Sequence, residues 1–254
     1  MKQWIRNQID TFICEYQKNT VTKWGRALVG FADAEEAAKI APKITPEHGL
    51  PTEAMEDASV VVAYFVPFQK EMADTNKNSG MASEEWAQAY EETNVMLGKI
   101  NEHLIGKLAE KGYKAAVHPA AASFDREKLI SSWSHRHMAY LAGLGTFGLN
   151  NMLITEKGCC GRYSSIITNL DVEPDSPMAE ELCRYKRDGS CKACVMKCPS
   201  GALTTEGFDR HKCYKVCMEN AAAYTEFGSS YDTGEKIGSE VCGKCVAGMP
   251  CAFL

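Results

Sequence analysis

The spacing of its cysteines limits what this chain can fold into more than any other feature of the sequence. Nine of the twelve cysteines fall between Cys183 and Cys251, and residues 191–199 read C-x2-C-x3-C-P. Bacterial-type ferredoxins carry C-x2-C-x2-C-x3-C-P, in which the last cysteine binds the other of two clusters. Short C-x2-C turns suit a [4Fe–4S] cluster because they direct two sulfurs toward one centre. The spacing therefore predicts two [4Fe–4S] clusters and transfer of single electrons.

Asp188 stands where the first cysteine of the ferredoxin run is expected, so one ligand must come from elsewhere. Cys183, a few residues upstream, is the nearest replacement. The crossed ferredoxin arrangement then predicts one site of Cys183, Cys191, Cys194 and Cys251, and a second site of Cys198, Cys213, Cys242 and Cys245. Cys217 is left over, and it is an alternative to Cys213 or to Cys183 as a ligand.

Structural zinc is the alternative to iron and sulfide, because zinc sites also use paired C-x2-C motifs. They do not require the C-x3-C-P tail, which favours the clusters. Disulfides are not expected, since residues 1–7 lack the apolar core of a signal peptide and the cytosol keeps thiols reduced. We therefore expect a cytoplasmic protein without membrane association. The net charge of −5 gives no general reason to bind nucleic acid.

The pattern of apolar residues divides the chain into two parts. Helices are predicted over residues 2–18, from Ser83 to Gly112 and over 126–142, strands over 59–66, 113–118, 151–155 and 163–169, and a long loop over 41–58. The composition changes at residues 173–177, after which cysteines and short turns dominate. We expect an α+β protein with an α/β cofactor domain over residues 1–176 and a ferredoxin-like domain over 177–254.

A glycine-rich turn lies between the last predicted helix and the strand after it. Residues 143–148 match G-x-G-x-x-G letter for letter. A dinucleotide-binding fingerprint follows a strand and opens a helix. Here the order is reversed, so the pattern predicts a helix C-cap followed by a tight turn and no Rossmann site.

The same turn carries a family resemblance. Residues 135–155 include Ala142-Gly143-Leu144-Gly145-Thr146-Phe147-Gly148-Leu149-Asn150 and resemble the A-G-L-G-x-x-G-x-N-x-x-L-I segment of epoxyqueuosine reductases. In that family the segment precedes a two-cluster ferredoxin module, and related reductive dehalogenases share the arrangement. The resemblance implies a nitroreductase-like domain that holds cobalamin, with clusters that feed electrons to cobalt. It places Gly143, Leu144, Gly145, Thr146, Phe147, Gly148 and Asn150 along the corrinoid.

The chain departs from the family at the proton donor. Epoxyqueuosine reductases carry D-x-G-P-V-x-E before the glycine turn, and simple register puts Leu129 at the position of that Asp. Asp125, His135 and Tyr163 are the candidate catalytic residues, each with a structural alternative as a cap or core residue. His137 is a further proton-donor candidate, and Arg162 is expected to bind a phosphate or carboxylate of the cofactor or substrate. Cys159 and Cys160, in a turn expected to be exposed, are a candidate redox pair.

The cysteine pattern and the resemblance together imply an oxidoreductase. We expect a corrinoid-dependent reductase that acts on a small molecule. Its electrons would come from a low-potential donor such as ferredoxin or flavodoxin. The family's C-terminal helical-repeat domain has no counterpart in this chain, which with the acidic net charge argues against a tRNA substrate. Two alternatives remain open. The first is a non-catalytic carrier that reduces a corrinoid or flavin partner protein. The second keeps the fold and replaces the corrinoid with FMN.

Overall fold

The structure, a computed structural model, describes residues 1–228 and 237–254. Helices and strands mix throughout the first two thirds of the chain. The helices are α1 (Lys2–Tyr16), α2 (Ala34–Ile44), α3 (Pro51–Ala54), α4 (Lys70–Thr75), α5 (Glu84–Ala109), α6 (His135–Leu141), α7 (Arg184–Asp188), α8 (Ala193–Met196) and α9 (Arg210–Ala223). The strands are β1 (Leu28–Asp33), β2 (Val60–Pro67), β3 (Ala115–Ala116), β4 (Gly145–Phe147), β5 (Leu153–Thr155) and β6 (Gly161–Thr168).

The main sheet has four strands in the order β1-β2-β6-β3, with every neighbouring pair antiparallel. Its central strand β2 is buried along its whole length, as its β-branched sequence predicts. In β2, Val60 faces Thr168 of β6 and Pro67 faces Gly161. Strands β4 and β5 form a separate hairpin.

Helices cover both faces of the sheet. On one face α1 and α5 pack against alternate residues of β2, including Val62 and Tyr64. On the other face α2 and α6 pack against the intervening residues, including Ala63 and Phe65. The strand is therefore the centre of two apolar layers, and this is the mixed helix-and-sheet architecture that the sequence predicts.

The long helices begin and end close to the predicted positions. Helix α5 starts after Ser83, whose Oγ accepts a hydrogen bond from Trp86 N, and its apolar stripe faces the core.

The predicted helix over 126–142 is wrong in its first half, because only residues 135–141 are helical. Leu129 has φ of +54°, a backbone conformation that breaks a helix, and Ser134 caps the shorter α6.

Two further predictions need correction. The predicted loop over 41–58 contains the end of α2 and all of α3, which begins at Pro51. The cysteine-rich region contains the 14-residue helix α9 as well as short turns.

The boundary near residue 176 stays a prediction. Residues 241–252 share one core with α5, and Asp175 accepts hydrogen bonds from Phe31 N and Lys2 Nζ. No helix in the described ranges is long and apolar enough to cross a membrane.

Candidate metal centre

Four cysteines line one mainly apolar cavity at the C-terminal end of the chain. They are the four predicted for the first site: Cys183, Cys191, Cys194 and Cys251. Cys183 precedes α7, Cys194 lies in α8, and Cys251 lies in the last turn of the chain. Burial and the neighbouring thiolates of Cys251, Cys183 and Cys191 raise the pKa of Cys194 to about 11. A thiol whose ionisation is disfavoured by neighbouring thiolates suits a positively charged metal core that neutralises them.

A second group of thiols surrounds Cys245. Burial, followed by the nearby thiolates of Cys242, Cys213 and Cys198, raises the pKa of Cys245 well above its ordinary value. These are the four cysteines predicted for the second site. Cys217 is a fifth thiol here, because it lies one helical turn after Cys213 on α9. Its S–H donates to Cys213, which lowers the pKa of Cys213 and raises that of Cys217.

The spacing of these thiols bears on which metal they fit. Thiolates bound tetrahedrally to one zinc ion lie about 3.8 Å apart, because each Zn–S bond is about 2.3 Å. Among residues 1–228 and 237–254, no group of three or more His, Cys, Asp or Glu side chains is arranged to hold a metal ion. The first four cysteines surround a cavity. In number and chemistry they fit the four thiolates of one [4Fe–4S] cluster.

The glycine turn folds as a helix end followed by a strand. Gly143 has φ of +72° after α6, and residues 145–147 form β4. A Cβ on Gly145 would overlap the Ile154 carbonyl oxygen of the paired strand β5. The need for glycine at position 145 therefore comes from the hairpin itself and not from a bound ligand.

The end of the same turn reaches both groups of cysteines. Leu149 and Asn150 line the first cavity. The backbone N–H of Leu149 donates to Cys183 Sγ, with 3.4 Å between nitrogen and sulfur. Asn150 Nδ2 donates to the Cys245 carbonyl oxygen at 2.9 Å. Thr146 Oγ1 donates to Glu181 and accepts from Leu182 N. The turn thus joins the first part of the chain to the predicted cluster sites.

The three candidate catalytic residues lie in different environments. Asp125 is on an exposed loop, where its carboxylate accepts from Glu127 N and Lys128 N, so it caps a turn and not the predicted helix. Tyr163 is buried, stacks on Phe65 and donates to the Leu153 carbonyl oxygen at 2.6 Å. Its proton is engaged in the core, which disfavours it as a proton donor.

The histidines of α6 are held neutral by their surroundings. Burial, and then the charge of Arg162, lowers the pKa of His135 to about 4, and its Nδ1 lies 2.8 Å from Ser165 Oγ. Burial lowers the pKa of His137 to about 4 as well. Near pH 7 both rings are therefore uncharged, and neither carries a spare acidic proton.

Arg162 lies over the Tyr90 ring, 4.0 Å from its centroid, and donates to Asn94 Oδ1 at 2.8 Å. These contacts hold it against α5. Its neighbour Tyr163 points to the opposite face of β6, where it packs with residues of the second apolar layer. The strand therefore separates Arg162 from Tyr163.

The sequence predicts that Cys159 and Cys160 lie in an exposed turn, and that prediction is wrong. Both are fully buried, and Cys159 Sγ lies 3.9 Å from Cys251 Sγ. The contact joins residues 92 positions apart. No local pattern signals such a contact, so sequence reasoning missed the place of Cys159 beside the first cavity.

Comparison with known proteins shows which proteins the chain resembles. No family model matches the chain. An epoxyqueuosine reductase of Listeria monocytogenes is 45% identical over 71 residues, which are 28% of this chain and 17% of that protein. A tetrachloroethene reductive dehalogenase of Desulfitobacterium hafniense is 32% identical over 178 residues, 64% of this chain and 29% of that protein. These matches span less than a third of each relative.

Solved structures extend the likeness in fold to nearly the whole chain. A selenomethionine-labelled epoxyqueuosine reductase superposes with a TM-score of 0.55 over 96% of this chain and 66% of that one, at 20% identity. A reductive dehalogenase, described with a mechanism for B12-dependent dehalogenation, gives 0.53 over 73% of this chain and 26% of that one, at 17% identity.

The chain is thus a relative of oxidoreductases, since both groups of matched proteins are reductases. More specifically, its sequence relatives are epoxyqueuosine reductases and reductive dehalogenases. Its fold is similar to the matched parts of solved structures from both groups. The predicted resemblance to epoxyqueuosine reductases and reductive dehalogenases is confirmed.

Proposed function

We propose that this chain is an iron–sulfur oxidoreductase that carries two [4Fe–4S] clusters and reduces a small molecule at a corrinoid. One observation carries the proposal: four predicted ligand cysteines line a single cavity, and Leu149 and Asn150, at the end of the segment that resembles the corrinoid-binding one, line the same cavity. Electrons that reach the first cluster would therefore be close to any cofactor held by the turn.

The proposal includes the division of the chain. Residues 1–176 form a nitroreductase-like cofactor domain, and residues 177–254 form a ferredoxin-like domain. Cys183, Cys191, Cys194 and Cys251 bind the first cluster, and Cys198, Cys213, Cys242 and Cys245 bind the second. Cys213 is the ligand in this assignment, and Cys217, one helical turn later on α9 and also near Cys242, is the alternative.

The residues of the turn set where a cofactor would lie. Leu149 and Asn150 stand at the first cavity, so residues 143–150 would hold the cofactor beside the first cluster. A bound corrinoid would supply a cobalt centre that passes electrons from the clusters to the substrate. Arg162, already positive and fixed against Tyr90, would pair with an anionic group of the cofactor or substrate.

Asp125 is the proposed proton donor, and its exposed carboxylate would take up a proton from solvent before passing it to the substrate. Of the three candidates, it is the one whose side chain is exposed on a loop before α6, whereas Tyr163 is engaged in the core and His135 is neutral. The exposed loop lets the carboxyl group approach a substrate without disturbing the core.

Leu129 favours a second candidate function. It occupies the register position of the family's catalytic Asp, and a leucine supplies no proton. A chain without that donor would act as a carrier that reduces a corrinoid or flavin partner protein. In either case we propose a low-potential donor such as ferredoxin or flavodoxin and a cytoplasmic, reducing location.

Titration of the anaerobically reconstituted protein with cobalamin, and in parallel with FMN, tests the cofactor. We expect cobalamin to bind and FMN not to bind, by the change in absorbance of each. Arg162→Gln should weaken cobalamin binding about tenfold, which is about 1.4 kcal/mol. Tight FMN binding without cobalamin binding would replace the corrinoid with a flavin, and binding of neither would favour the carrier.

A further inference from the structure

Cys159 is a buried thiol beside a proposed cluster ligand. It lies in the turn between β5 and β6, and its side chain is fully buried. Its Sγ lies 3.9 Å from Cys251 Sγ, with Cys159 placed as the donor. A cysteine S–H is a weak hydrogen-bond donor that finds a strong acceptor in a thiolate.

Backbone contacts fix this pair. The Cys159 N–H donates to the Cys251 carbonyl oxygen at 2.9 Å, and the Cys160 N–H donates to that of Ala252 at 3.1 Å. Gly158 has φ of +86°, and a Cβ there would overlap the Ala252 carbonyl oxygen. These backbone contacts fix the β5–β6 turn against residues 251–252. The sulfurs of Cys159 and Cys251 are therefore held next to each other.

Asn150 gives Cys159 a polar neighbour on the other side. Its Nδ2 lies 4.0 Å from Cys159 Sγ and also donates to the Cys245 carbonyl oxygen. An amide N–H can only donate, so the sulfur of Cys159 accepts there and its own proton remains for Cys251. Asn150 belongs to the glycine turn, so the contact runs from the proposed cofactor segment to the proposed ligand.

Cys159 is distinct from the four thiols of the cavity. Cys183, Cys191, Cys194 and Cys251 line that cavity, and Cys159 is not among its lining residues. A [4Fe–4S] cluster takes four thiolates, and the cavity already has them.

We infer that Cys159 is a positioning residue whose S–H donates to the ligand sulfur of Cys251 and raises the reduction potential of the first cluster. This rests on the proposed function, because it requires the cluster. An added electron increases the negative charge on the ligand sulfurs. A hydrogen bond to one of them therefore stabilises the reduced cluster more than the oxidised one.

The test compares Cys159→Ala with Cys159→Ser and with Cys160→Ala. Alanine removes the donor, serine keeps an O–H at the same position, and Cys160 is an adjacent, fully buried thiol that serves as the matched control. Iron and sulfide are counted, and the potential of each cluster is measured by EPR-monitored redox titration. Circular dichroism checks folding, and the alanine variant can be judged from its potential even if the serine variant folds poorly.

We expect Cys159→Ala to keep all its iron while the equilibrium constant for reducing one cluster falls about tenfold, which is about 59 mV for one electron. Cys159→Ser should restore it, and Cys160→Ala should leave both potentials unchanged. Loss of half the iron in Cys159→Ala would overturn the inference by making Cys159 a ligand. Full iron with unchanged potentials would also overturn it. A wild-type protein that binds no iron would instead remove the proposed function.

Discussion

At the scale of single residues, the glycine turn shows why a motif cannot be interpreted from its letters alone. The pattern over residues 143–148 suggested close approach of the backbone to a ligand. Gly145 does make a close approach, but to Ile154 of its own hairpin. The residues of the turn that reach the cysteine groups are Leu149 and Asn150, outside the G-x-G-x-x-G letters.

Gly145→Ala tests that assignment. The added methyl group would overlap the backbone of Ile154, so the hairpin must shift, and overpacking of this kind costs about 1–3 kcal/mol. We expect a lower midpoint of thermal unfolding. The matched control is Gly98→Ala in α5, where nothing lies within 4 Å of an added Cβ and alanine should stabilise the helix by about 0.5–1 kcal/mol. Unchanged stability in Gly145→Ala would show that the hairpin tolerates a side chain.

At the scale of elements, the sequence correctly predicted the helices and strands whose pattern of apolar residues is enough to determine their structure. The β-branched run of β2 and the apolar stripe of α5 were correct because burial of their own side chains fixes them. Helix α9 was missed because its sequence has no regular apolar period, and the residues that it buries are Asn220 and Ala221. The segment before α6 was mispredicted because Asp125 and Ile130 pair across a tight turn, in which Leu129 takes a left-handed conformation that leucine rarely adopts.

The two groups of cysteines could be predicted from the sequence, but the contact of Cys159 with one of them could not. Spacing alone assigned each C-x2-C pair, and the structure brings the predicted partners together around Cys194 and Cys245. The proximity of Cys159 to Cys251 could not be predicted, because it depends on how a distant turn meets the chain end.

Helix α7 offers a direct test of the ligand replacement, because Cys183 precedes it and Asp188 ends it. Asp188 is exposed, and its carboxylate accepts from Ser190 N at 2.9 Å, so it acts as a turn residue. Cys183→Ala should lose about half of the iron, because one cluster lacks a ligand. Asp188→Ala, the matched control, should keep its full iron content. Full iron in Cys183→Ala would move the ligand role to Cys217.

At the scale of the whole molecule, charge is distributed unevenly along the chain. The chain has a net charge of −5, yet residues 184–215 carry eight Lys and Arg against three Asp and Glu. Met196, between Cys194 and Cys198, is 80% exposed. A basic stretch with an exposed apolar residue beside both proposed clusters suits the docking of an acidic electron donor.

This predicts a rate of reduction that depends on salt. Reduction by an acidic flavodoxin or ferredoxin should slow about tenfold between low and high ionic strength, since screening weakens the attraction. Lys192→Glu should slow it at low salt, and Lys43→Glu, an exposed lysine on α2, should not. Stopped-flow absorbance measures both rates. Equal slowing by the two variants would show that the basic stretch has no special part in docking.

The central claim is that eight of the nine clustered cysteines hold two [4Fe–4S] clusters. The most direct measurement is iron, sulfide and zinc analysis of the anaerobically reconstituted protein, with EPR spectra after reduction. The account predicts about eight iron and eight sulfide per chain, absorbance near roughly 400 nm and signals from two reduced clusters. Stoichiometric zinc without sulfide, and no such absorbance, would contradict it.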